Sequence, residues 1–462
     1  MQSFIQTHRL DPDKEDVSSR LRHFEEIYRF YTSRVVARQG ERCVQCGDPF
    51  CTTIGCPLNN AIPQWLEAIA EKDLEKAFLI SNETSPFPEI LGRVCPHNRL
   101  CEGACTLDDG YGAITIGPIE ASISDLAFKS GLKLPFPGIT SDRKVAIIGS
   151  GPAGMSCAHF LLRAGIGVDM FERANLPGGL LTYGIPGFKL DKETIRRRFA
   201  ILKDAGMRLQ TGVEIGQDMP MQKLLDDYDV LFLGVGASNG KRSKIPGENH
   251  PQVFLAMEFL TNVQHRLYGE AWMDRFSVLG KRVVVVGGGD TAMDCVRTAV
   301  REGAESVVCL YRRDEENMPG SRKEYHNAVE EGVDFEFLAA PKKIDIDANE
   351  KLVGIDAIRT ELSEQDADGR QSVKEVPGSA HCIQADVVIM ALGFDMEGLP
   401  FVEDAGVELG SWGEIKIDPL TGQTSNSKVY AGGDCQRGAD LVVTAAADGR
   451  RAALAIMQEL LG

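Results

Sequence analysis

The chain has 462 residues, 43% of them hydrophobic and 25% charged, an ordinary globular balance with room for two or three domain cores. Its net charge of −17 argues against nucleic acid or an anionic membrane surface as the main partner. No apolar run approaches the ~18–20 residues that span a bilayer, and the opening MQSFIQTHRLDPDKED lacks the apolar core of a signal peptide, so a cytoplasmic location is expected.

In chain order, residues 15–38 read as an amphipathic helix, with Val17, Leu21, Phe24, Tyr28 and Tyr31 along one stripe. A cysteine-rich stretch follows from Cys43 to Cys105, with a helical insert around Trp65–Leu79. The glycine- and proline-bearing run Gly131–Gly138 then reads as a linker that closes a first domain, 1–138.

Twelve cysteines in a reducing compartment are not expected to form disulfides. Cys157, Cys295, Cys309, Cys382 and Cys435 are scattered singly. The other seven fall into two groups, Cys43-x2-Cys46-x4-Cys51-x4-Cys56-Pro57 and Cys95-Pro-x4-Cys101-x3-Cys105. Zinc is the rival reading, but structural zinc favours two separated pairs. A crowded run whose last cysteine precedes proline fits cubane clusters, where that cysteine serves a second cluster. Seven sulfurs do not make two sets of four. One cluster has a non-cysteine ligand, or one holds three irons, or a single cluster forms.

Beyond the linker the character changes. Lys144–Ile148 is a buried-strand run that enters Gly149-Ser-Gly151-Pro-Ala153-Gly154 and then a helix. The first glycine makes the turn, the second admits a pyrophosphate, and the third lets helix and strand pack closely. The phosphates then face free N–H groups at a helix N-terminus. Glu172 ends the next strand, placed to accept from ribose hydroxyls.

The pattern recurs at Arg282–Val286 and Gly287-Gly-Gly289-Asp290-Thr291-Ala292. Here the following strand ends in Tyr311-Arg312-Arg313. Arginines in that place suit a 2′-phosphate, so this unit is expected to prefer NADPH over NADH. The plain alternative is a solvated basic pair; Arg322 is a weaker candidate for the same role.

Two dinucleotide units suggest FAD in the first and NADPH in the second. Near the C-terminus, Ala431-Gly-Gly433-Asp434 follows a short strand and precedes a helix starting near Leu441, whose N-terminus can face a flavin ring. The expected fold class is α/β: a helical iron–sulfur head, then two Rossmann-like domains. The FAD domain (139–252 and 380–462) is split by an inserted NADPH domain (253–379).

RCVQCGDPFC, GRVCPHNRLCEGAC, GSGPAGM, PGGLLTYGIPGFKL, GGGDTAMDCVRTA, CLYRRDEENMPGSRKE and AGGDCQRGADLVV carry a resemblance along nearly the whole chain. The chain resembles the small (beta) subunits of NADPH-dependent glutamate synthases. The same module is similar to the N-terminal half of dihydropyrimidine dehydrogenase and to NADPH–ferredoxin reductases. The resemblance implies one [4Fe–4S] cluster on Cys43, Cys46, Cys51 and Cys105. It implies a second on Cys56, Cys95 and Cys101, with Glu120 of the IGPIE segment as fourth ligand. One departure from the family pattern is a four-residue rather than three-residue spacer between Cys51 and Cys56. The resemblance further implies FAD contacts from Gly179, Leu180 and Lys189, although a glycine turn packed on the sheet would read the same way.

The implied activity is hydride transfer from NADPH to FAD, then single-electron exit through the clusters. No side-chain acid, base or nucleophile is required. The implied partner is the large (alpha) subunit, which makes L-glutamate from L-glutamine and 2-oxoglutarate. A reductase serving ferredoxin or a pyrimidine dehydrogenase would use the same path and stays open. A dithiol reductase of the thioredoxin-reductase type needs Cys-x-x-Cys beside the flavin, and the late cysteines are solitary.

Overall fold

The computed structural model describes residues 3–365, 371–396 and 398–462. In the head, helices Ser33–Gly40, Ile62–Ala70, Leu74–Thr84, Pro88–Val94 and α1 (Ile116–Lys129) enclose a core of Trp65, Phe78, Ile119 and Ile123. The Trp65 indole N–H donates to Asn60 Oδ1 at 2.9 Å, which satisfies the only polar atom of this buried ring.

The helix expected over 15–38 does not form as one piece. Val17–Arg20 makes a single turn, Tyr28–Arg29 pairs as a short strand with Asp13–Lys14, and a helix resumes at Ser33. Tertiary contacts override the local period. Arg20 is buried against Glu331, 2.9 Å away, and the Ile27 N–H donates to Phe188 O at 3.2 Å. Around Glu331 the pairing continues with Arg297 and Arg301, whose guanidinium groups lie over the Phe188 ring at 4.3 and 4.1 Å. This charge network fastens the N-terminal segment to the domain that carries Arg297.

Residues 131–138 hold no helix or strand; Leu132 and Leu134 pack on the head core and Phe136 on that of the first sheet domain. Next come β1 (Lys144–Ile148), α2 (Pro152–Arg163), β2 (Gly167–Glu172), β3 (Arg208–Thr211) and β4 (Val230–Leu233). A second set follows: β5 (Val253–Leu255), α3 (Ala256–Leu267), β6 (Arg282–Val286), α4 (Asp290–Arg301), β7 (Ser306–Tyr311), α5 (Arg322–Glu330), β8 (Asp334–Phe337) and β9 (Val387–Met390). The chain returns for β10 (Val429–Ala431) and α6 (Val442–Leu461).

The first sheet runs β10-β4-β1-β2-β3 and the second β8-β7-β6-β9-β5, both fully parallel. Their central strands are near-continuous Val, Ile and Leu because both faces are covered, in the second sheet by α3 and α4 on one side and by Ile344, Leu352 and Ile355 of a small antiparallel sheet on the other. This small sheet lies within 339–384.

The domain boundaries expected at 252/253 and 379/380 both move. Val387–Met390, assigned from sequence to the returning FAD domain, is β9 of the second sheet, held between β6 and β5. Its unbroken apolar run needs a strand on each side, and only the second sheet offers that place. The two crossings between domains are Asn239–Gly240 and Phe394–Asp395, which pair with each other antiparallel. Among the described residues no helix is long and apolar enough to cross a membrane.

Candidate functional site

The first glycine turn opens a cavity of about 970 Å³ between the two sheet domains. Gly149 has φ +96°, and a Cβ there would lie 2.4 Å from Gly234 O; only glycine makes this turn. Behind it, a Cβ on Gly154 would meet Gly149 O at 2.0 Å, so α2 packs on β1 only without a side chain there. Gly151, by contrast, faces open space, as a residue approached by phosphate must.

Of the residues expected on FAD, Gly149, Gly151, Ala153, Glu172, Gly179, Leu180, Gly433 and Asp434 line this cavity, and Gly154 lies just behind. Glu172 is buried. Its carboxylate accepts from Ser150 N at 3.0 Å, from the Ser150 hydroxyl and from Ala174 N at 2.8 Å. About four lone-pair sites are available on a carboxylate, so one remains for a ribose hydroxyl. Burial pushes the Asp434 carboxyl up to about 7.

Lys189 stands apart from that wall. Its ammonium is taken by Asp294 at 3.2 Å and Asp290 at 3.9 Å, carboxylates of α4 in the other domain.

Several wall residues carry no motif. Glu214–Gln217 follow β3, while Met257, Thr261, His265 and Trp272 come from α3 and the loop after it. Asp448 lies beneath the wall, buried on α6. It accepts from Gly433 N at 3.0 Å and pairs with Arg437 and Arg451, which holds Gly433 at φ +80°. An acid among Ala445, Ala446, Ala452 and Ala453 is the one sequence signal that could have found it.

The second turn is finished differently. Gly287, Gly289, Asp290, Thr291 and Ala292 join β6 to α4 outside the large cavity, and Gly289 faces open space. The Gly320 N–H donates to Gly288 O at 2.9 Å and Ser321 N to Asp290 Oδ1 at 3.1 Å, drawing the loop before α5 onto the turn. Arg312 is exposed; Arg313 is half-buried with an Nε that meets no protein acceptor. Arg322 pairs with Glu315 at 3.2 Å.

The seven head cysteines divide between two small cavities. Cys43, Cys46, Cys51 and Cys105 line one. Cys56, Cys95, Cys101 and Glu120 line the other. The four-residue spacer is absorbed by the turn Phe50–Thr53 and by Gly55, which packs on the Cys101 backbone, so Cys56 still joins its set. Ile116 lies on both cavities, and Val443 of α6 on the second.

Spacing tests what these sulfurs fit. Zinc–sulfur bonds of about 2.3 Å would draw four sulfurs to within about 3.8 Å of one another. Among the described residues, only Asp345, Asp356 and Cys382, on the small sheet, form a His/Cys/Asp/Glu group with all ligand atoms within 4.8 Å. The head cysteines do not form such a group among the described residues. Burial pushes the Cys43 thiol up to about 11, Cys51 up to about 12 and Glu120 up to about 8, a cost that bound metal charge reverses.

Residues 143–449 match the pyridine nucleotide-disulphide oxidoreductase family, and 20–132 match dihydropyrimidine dehydrogenase domain II, 4Fe-4S cluster. The glutamate synthase [NADPH] small chain of Halomonas elongata is 47% identical over 99% of this chain and 98% of its own length. The chain belongs to the glutamate synthase [NADPH] small chain family. The Escherichia coli member is also 47% identical, over 99% of this chain and 98% of that one. Among solved structures, Mycobacterium tuberculosis FprA in complex with NADPH matches 69% of this chain and 85% of its own, with TM-score 0.57 and 21% identity, a likeness of fold.

Proposed function

We infer that the chain is the NADPH-oxidising subunit of a glutamate synthase, with FAD at the first turn, NADPH at the second and a [4Fe–4S] cluster in each cysteine cavity. The electrons go to a large subunit that makes L-glutamate from L-glutamine and 2-oxoglutarate. When bound, FAD takes hydride from NADPH as an electron pair and the clusters carry electrons on singly.

The observation that carries this reading is the adjacency of the two kinds of site. Val442 lines the large cavity and Val443, the next residue, lines the cavity of Cys56, Cys95, Cys101 and Glu120. Within the large cavity, Gly151 leaves room for the pyrophosphate and the free position on Glu172 takes a ribose hydroxyl. Leu441, Val442 and Ala445 bring the N-terminal end of α6 to the same wall, where its positive end favours negative charge. Arg312 and Arg313 meet the 2′-phosphate that distinguishes NADPH from NADH. The set of Cys43, Cys46, Cys51 and Cys105 lies beside exposed Val44 and Phe50, on the outer side of the head, and is the exit toward the partner.

Iron and acid-labile sulfide should each come to about eight per chain. The purified chain should reduce an artificial dye with NADPH and should form glutamate only when the large chain is added. Stoichiometric zinc in place of iron would overturn the electron path.

A further inference from the structure

Resting on that reading, we propose that Tyr183, Glu270 and His265 form a latch between the two sheet domains that sets how the nicotinamide meets the flavin. Tyr183 belongs to the one-turn helix Leu180–Tyr183, directly after the glycines expected on FAD. His265 lies near the end of α3 in the other domain and Glu270 in the loop that follows. The Tyr183 hydroxyl donates to the Glu270 carboxylate, 3.2 Å from either oxygen. His265 Nδ1 lies 2.5 Å from Glu270 Oε2, and the Tyr183 and His265 rings are 4.9 Å apart.

Both ends of the latch are anchored. The Tyr183 oxygen accepts from Leu176 N at 3.2 Å, and Gly178 N donates to Ser150 Oγ at 2.9 Å, so the Tyr183 end is tied to the first glycine turn. Tyr268, beside Glu270, donates to Thr182 O at 2.9 Å and repeats the crossing. Asn262 of α3 holds the Glu270 loop through Met273, accepting its N–H at 2.7 Å and donating to its O at 3.1 Å. The Glu270 side chain is only 17% exposed, which strengthens its bonds relative to a surface pair.

The position of the latch gives it a function. Tyr183 and His265 both lie on the cavity wall between the domains. The domains are otherwise joined by the short Asn239–Gly240 and Phe394–Asp395 pairing and by Lys189 with Asp294 and Asp290; of these links, the latch is the one that stands on the cavity wall itself. Hydride transfer falls steeply with misplacement, by as much as ~100-fold for about 1 Å. Tyr183, Glu270 and His265 are therefore positioning residues: they act through the domain angle.

The test is anaerobic single-turnover reduction of the flavin by saturating NADPH in the full chain with FAD and clusters in place. Tyr183→Phe and Glu270→Ala should each slow reduction about tenfold, with flavin content and the KM for NADPH within about twofold of the parent. The double variant should be no slower than the slower single, because both break one connection. Glu270→Gln, which keeps an acceptor for both partners, should restore most of the rate. Single variants that reduce at the parental rate, or that lose only thermal stability or flavin, overturn the latch. A parent chain whose flavin NADPH does not reduce overturns the functional reading itself, a separate outcome.

Discussion

The two glycine turns begin alike and end differently. The first has glycine at its third position, an acid already bonded three times by the protein, and a helix returning from the far end of the chain to close it. The second has Ala292 at its third position, an exposed Arg312, and a short loop drawn over the turn. Satisfied, buried polar atoms suit a ligand that stays. Exposed charge suits one that arrives, is read by its phosphate and leaves. On the proposed reading, a division of labour between a resident and an exchanged nucleotide is built into the surroundings of a shared motif.

Exchanging the third-position residues should break the comparison most visibly. Gly154→Ala forces a methyl into backbone 2.0 Å away, and the purified chain should lose its flavin, read from the flavin-to-protein absorbance ratio. Ala292→Gly should keep flavin and cost about 1 kcal/mol in thermal unfolding, the ordinary penalty for glycine in a helix. Next in size, Arg312→Ala with Arg313→Ala should raise the KM for NADPH about 100-fold and that for NADH less than twofold in steady-state assays. Equal effects on both would make the arginines a solvated pair.

Smaller effects sharpen the first turn. Ser150→Ala removes the hydroxyl that donates to Glu172 and accepts from Gly178 N, and should weaken flavin binding about tenfold in titrations of the flavin-free chain. Least of all, Asp434 should leave a mark on pH dependence. Burial raises its pKa from 3.8 to about 7, so the folded state favours the protonated form. Stability of the flavin-free chain should therefore fall as pH rises from about 4 to about 7 and then level off. Asp434→Asn should flatten that slope, which thermal melts across the pH range would detect.

Much of this was legible because it is local. Each glycine turn compresses a strand end, a phosphate cradle and a helix start into six residues, and each apolar run announces its strand. The cysteines announced a cluster chemistry, while the division into two sets came with the family resemblance. What the sequence hid depends on distant partners. The stripe from Val17 to Tyr31 has helical spacing, yet Arg20 answers to Glu331. Val387–Met390 reads as a strand, but no local feature names its sheet. Lys189 belongs to a segment expected on flavin and is captured by Asp294 and Asp290. The wall supplied by α3 and its loop carries no motif, because shape rather than residue type puts it there.

The neighbouring valines at the start of α6 have a further consequence. Val442 lines the large cavity and Val443 the cavity of Cys56, Cys95 and Cys101, so on the proposed reading two neighbouring residues are all that separate the compartments there. Each residue in a helix is rotated by about 100° from the last. Inserting one residue before Val442 would turn both valines off their cavities together, and with them Ala445 on the wall and Asp448 beneath Gly433.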